Sequence, residues 1–159
     1  MGRFGWPSAL FLVTVVAGSP QLAAGAPLAP TRPSQLVNLV AATSCGAYGF
    51  TAFTIRMNPD ATSSPFTIPP GYVLVITQLE ASDLSGSLTP GTTVQIQLVD
   101  GNTGVWFGAS VDTVVNPDGK FAVVGSVSNL VIKPGVLLCR FGLGPTVFAA
   151  VRGFLAKDN

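Results

Sequence analysis

The chain has 159 residues, eight of them basic and seven acidic, no histidine, and only 9% charged side chains. Without histidine, Ser-His-Asp and Cys-His catalysis and histidine-bearing zinc sites are unavailable. A net charge of +1 gives nucleic acid or an anionic surface no electrostatic hold, so neither is an expected partner.

Residues 1–26 read as an export signal. Arg3 supplies the positive start, Ala9 to Ala17 a short apolar run, and Leu22-Ala23-Ala24-Gly25-Ala26 the small residues around a cut. That order is the pattern of a secretory signal peptide. The run is shorter than the about 20 apolar residues that span a bilayer. The expected location is therefore secreted or periplasmic, with no membrane partner after cleavage. Cleavage removes Arg3 and leaves seven residues of each sign, a mature charge of zero. Residues 27–34 (Pro27-Leu28-Ala29-Pro30-Thr31-Arg32-Pro33-Ser34) are too proline-rich for helix or central strand and read as a flexible arm.

From residue 35 to residue 159 the pattern is one β domain. No window keeps a helical apolar spacing. Short alternating runs are instead separated by turn residues roughly every ten positions. The predicted strands are 35–42, 48–55, 72–81, 93–98, 105–111, 121–127, 136–141 and 146–155. In Thr93-Val94-Gln95-Ile96-Gln97-Leu98, the residues Val94, Ile96 and Leu98 face the core while Thr93, Gln95 and Gln97 face outward. Asp100-Gly101-Asn102-Thr103-Gly104 turns the chain into the next strand, where Phe107, Ala109 and Val111 point one way and Trp106 and Ser110 the other. Asn116-Pro117-Asp118-Gly119 is a second hairpin signal, because proline presets the turn. Eight short antiparallel strands suit a single jelly-roll-like β-sandwich. An immunoglobulin-like sandwich is the alternative, since the order Cys45, Trp106, Cys139 is present, although its spacing is unusual.

Two strands are apolar on both faces. Tyr72, Leu74 and Ile76 alternate with Val73 and Val75. In the last strand Val147, Val151 and Leu155 oppose Phe148, Ala150 and Phe154. A sheet with one wet face should not do this twice. The second face needs a cover, either the chain's own loops or a neighbouring subunit. With so few charges to keep copies apart, a homo-oligomer is the expectation, with Trp106, Tyr72, Leu74, Ile76, Phe148 and Phe154 as the binding or interface candidates.

Ile68-Pro69-Pro70-Gly71-Tyr72-Val73-Leu74-Val75-Ile76-Thr77, Lys133-Pro134-Gly135-Val136-Leu137-Leu138-Cys139 and Val151-Arg152-Gly153-Phe154-Leu155 together resemble small exported bacterial β-sandwich proteins. The resemblance covers about the last 95 residues and rests on strand grammar. It implies export and a sandwich, and it carries over no catalytic residue.

The two cysteines, Cys45 and Cys139, both follow the signal and in an oxidising compartment read as one disulfide. No nucleophile elbow, P-loop or dinucleotide fingerprint occurs, and no cofactor is expected. The carboxylates Glu80, Asp83, Asp100 and Asp112 are the only hydrolytic candidates, and Asp83 and Asp100 stand in ordinary turn contexts. Asp100, Asn102 and Asp112 offer oxygen ligands without a calcium-loop spacing, so no metal is expected. Two readings remain. The first is a non-enzymatic secreted structural or interaction protein that self-assembles through an apolar sheet face. The alternative is a carbohydrate-binding module in which Trp106, helped by Tyr48 and Gln97, stacks on a sugar.

Overall fold

A computed structural model of the protein describes Pro30 and residues 32–45, 50–142 and 147–158. The signal segment, most of the arm and Tyr48 lie outside the described residues. The described chain is all-β apart from a single 3-10 turn at Pro33–Gln35. None of its helices is long and apolar enough to cross a membrane.

Nine strands form among the described residues: β1 (Leu36–Cys45), β2 (Phe50–Met57), β3 (Ser63–Pro65), β4 (Tyr72–Asp83), β5 (Thr93–Asp100), β6 (Trp106–Val114), β7 (Phe121–Ile132), β8 (Leu138–Phe141) and β9 (Phe148–Lys157). Each of the eight expected strands has a counterpart. The ninth, β3, is too short to show an alternation, and it pairs only with the end of β2. All the pairings are antiparallel, in the order β6-β5-β8-β2-β1-β9-β4-β7. This is one continuous sheet where two stacked sheets were expected. It rolls until its end strands β6 and β7 come close, with the Val111 side chain against Gly125. The result is a nearly closed barrel. Rolling removes most exposed edge, the same problem that a sandwich solves with two layers.

The barrel interior holds Leu39, Leu74, Ile76, Leu79, Ile96, Leu98, Phe121 and Val151, all essentially without solvent contact. Val94, Ile96 and Leu98 point inward as their alternation requires, opposite Ala109 and Val111 of β6. In β4 the inward parity changes. Ile76 and Gln78 have shifted registers against both neighbours, so Thr77 sits in a bulge. Before it Leu74 and Ile76 face the core, and after it Leu79 and Ala81 do. A bulge adds a residue and re-aims everything beyond it. The outer face of β4 accordingly passes from Val73 and Val75 to Gln78 and Glu80.

The doubly apolar ribbon is explained by two clusters. Its inner side joins the main core, and its outer side forms a small cluster of Val73, Val75, Phe154 and Ala156. Phe154 is only 6% exposed within the single chain, so of the two covers expected for this face the chain itself supplies one. Tyr72 is half-buried, whereas Leu74 and Ile76 lie in the barrel core.

The two barrel ends differ. At the end where β4 finishes, the loop between β4 and β5 bonds to the β6–β7 loop through Gly91 N–H to Val115 O and Leu88 N–H to Gly119 O. Leu88 and Val115 pack onto the core there, closing that end. At the opposite end, where β4 begins, Phe66, Ile68 and Val136 pack onto the core around a hollow.

Candidate functional site: an outer aromatic face and an open barrel mouth

Cys45 and Cys139 form the expected disulfide, with Cα atoms 6.3 Å apart. Val99 pairs with Cys139, and Phe50 with Cys45. Because Leu98 and Leu138 face inward, Cys139 and Val99 lie on the outer side of the sheet. There they form a cluster with Phe50 and Ala52. Gly101, at the start of the β5–β6 turn, lies over both sulfurs, and a Cβ there would overlap them. The bridge is of the kind that an oxidising compartment permits.

This arrangement removes the immunoglobulin reading of the Cys-Trp-Cys order. Trp106 is 53% exposed on the outer face, and the bridge is outside the main core. Trp106 pairs with Val99, and the next outward row along the sheet is Ser110, Gln97 and Phe141. Phe141 is also half exposed and stands edge-on to Phe50, with ring centroids 5.4 Å apart. Gln97 therefore has Phe141 directly beside it and Trp106 diagonally across, and neither row carries a charge. Gln97 Nε2 donates to Gln95 Oε1 at 2.6 Å, which ties the two amides together beside Trp106. Phe141 escaped the sequence reading because its strand inverts the usual pattern, with Arg140 buried and Phe141 half exposed. Phe148, half exposed beside Ser82, belongs to the opposite end of the barrel and does not join Trp106.

The open end carries a cavity of about 370 Å³. Its walls include Leu39, Phe53, Leu74 and Ile132, and its rim includes Phe66, Ile68 and Val136 from two loops. The rims are anchored. Phe66 N–H donates to Thr54 O at 2.8 Å, and Gly101 N–H to Leu137 O at 2.7 Å. Asn102 Nδ2 reaches Gly135 O at 3.2 Å. The signal for this site was faint, a single Phe66-Thr67-Ile68 trio inside a Pro- and Ser-rich loop.

The carboxylates are engaged in structure. Glu80 accepts from Arg152 Nη2 at 2.6 Å on the outer face. Asp83 is buried, and its Oδ1 accepts the Ser85 N–H at 2.8 Å. Asp100 holds its own hairpin, accepting from Asn102 N–H and Thr103 Oγ1 at 2.9 Å each. Asp112 pairs with Gln95, five residues along β5 from Asp100, a spacing of about 17 Å at strand rise. That exceeds the about 5–10 Å of a glycosidase pair and is too far to share a calcium ion. Among the described residues no three metal-ligating side chains cluster. Asp60 is held below the usual carboxylate value by the Thr62 hydroxyl and then the Thr62 N–H. Arg140 points into the barrel and bonds Gly142 O, and burial pushes its guanidinium down from the ordinary value. Neither group lies at the outer aromatic face or the mouth.

Comparison of the chain with protein-family models, with curated proteins and with solved structures finds no match.

Proposed function

We propose that the chain is an exported, non-enzymatic structural or interaction protein that assembles with a second copy of itself through its outer apolar sheet face. One observation supports this reading above the others: Trp106 and Phe141, both about half exposed, share an uncharged stretch of one face. Water is a poor neighbour for two large aromatics on one uncharged face, and tryptophan is enriched where interfaces concentrate their energy. The scarcity of charge removes the repulsion that keeps copies apart. The rolled sheet, whose opposed halves enclose one core, is also compatible with the sandwich reading in a flattened form.

A second reading is favoured by the Gln95–Gln97 amide pair next to Trp106. An aromatic platform beside hydrogen-bonding amides suits a sugar ring. Light scattering on the mature protein separates the two. Self-assembly predicts a dimer or larger species at micromolar concentration, reduced to monomer by Trp106→Ala or Phe141→Ala. The glycan reading predicts a monomer that binds on a glycan array and loses that binding with Trp106→Ala. A monomer that binds no glycan would overturn both.

A further inference from the structure

We infer that the open barrel mouth is a binding site for one small, uncharged, mainly apolar molecule, separate from the outer aromatic face. The two ends of the barrel are built differently from one sequence. Leu88 and Val115 cap the core at the end where β4 finishes, whereas at the end where β4 begins Phe66, Ile68 and Val136 pack onto the core and leave a hollow of about 370 Å³ between them. That volume falls within the about 300–1,000 Å³ of small-molecule sites, which favour barrel mouths.

The lining selects the class of occupant. Leu39, Phe53, Leu74 and Ile132 form a floor that is almost fully buried, the accessible apolar surface comes from half-buried Phe66, Ile68 and Val136, and among the described residues no acidic or basic side chain lines the cavity. An ionised ligand would lose its hydration there with nothing to replace it. A free sugar would meet too few hydrogen-bonding groups, since the polar side chains at the edge are those of Thr54, Thr67 and Asn102. An apolar molecule gains the burial of its surface and of the exposed parts of Phe66, Ile68 and Val136. The rim is also held in place before anything binds. The backbone bonds Phe66–Thr54 and Gly101–Leu137 and the Asn102–Gly135 side-chain bond brace the surrounding segments. A rim already ordered loses less freedom on binding.

The uncharged fluorophore N-phenyl-1-naphthylamine is a suitable probe, because its emission rises in apolar surroundings. Titration into the mature protein should saturate at one probe per chain. Val136→Trp, which fills the rim, should weaken binding at least tenfold, while Val124→Ala, on the outer face of β7, should leave it unchanged. On the unaltered protein, methyl NMR should show probe-dependent shifts at Leu39, Ile68, Leu74 and Ile132, a readout that stands even if Val136→Trp fails to fold. Unsaturable binding, shifts confined to other methyls, or full affinity in a folded Val136→Trp would each overturn the inference. None of these outcomes depends on whether Trp106 forms an interface or a sugar platform.

Discussion

Gly101 shows how one missing side chain can be a structural requirement. It follows Asp100 at the end of β5 and donates its N–H to Leu137 O, which presses its Cα against the Cys45 and Cys139 sulfurs. A methyl group has no room there, and the bridge is braced by Phe50, Ala52 and Val99. Gly101→Ala should destabilise the protein by about 1–3 kcal/mol, the usual range for overpacking. The penalty should shrink in the Cys45→Ala/Cys139→Ala background, where the sulfurs are absent. Urea unfolding of the four variants measures this coupling, and equal penalties in both backgrounds would show that the sulfurs are not what Gly101 avoids. The glycine was legible in the sequence as a turn residue. Its contact with the bridge was not, because Cys45 and Cys139 lie 94 residues apart.

At the level of elements, β4 and β9 form a pair that departs from simple alternation. The bulge at Thr77 brings the β4 backbone toward β9, and Thr77 Oγ1 donates to Arg152 O at 3.3 Å. Opposite it stands Gly153, where a Cβ would run into the Val75 carbonyl. Gly153→Ala should therefore force the ladder apart, costing about 1–3 kcal/mol and speeding amide hydrogen exchange along β4 and β9. Unchanged exchange would mean that the two strands can spread without loss. The sequence displayed both apolar faces of these strands, but a period of two cannot announce a bulge. The extra residue becomes visible only when neighbouring strands disagree in register. The same holds for β7, whose strand continues to Ile132 past Asn129, a residue in the left-handed region at φ 47°.

For the molecule as a whole, the disulfide joins β1 to β8, both of which flank β2, across a loop of about 95 residues. In chain-entropy terms a loop of that size restricts the unfolded state by about 4–5 kcal/mol, an upper value. Cys45→Ala/Cys139→Ala should lower the unfolding free energy by about 2–5 kcal/mol while preserving the β spectrum, as judged by urea titration and circular dichroism. Two free thiols in the purified protein, found by alkylation and mass measurement, would overturn this. The barrel also gives the molecule two distinct surfaces. Its outer face carries half-exposed aromatics around Gln97, and its open end carries an apolar hollow.

What the residues determined alone was local: alternation set the strand class and the inward side of β5 and β6, turn residues set the breaks, and the absence of histidine narrowed the chemistry. These are legible because each depends on neighbours a few positions away. The closure of a single sheet into a barrel, the placing of Trp106 and Phe141 on one outer face and the hollow between Phe53 and Ile132 were decided only by the tertiary structure. Each depends on which distant strands pair and how their twist accumulates, and strand alternation is the same whether a sheet lies open, stacks or rolls up.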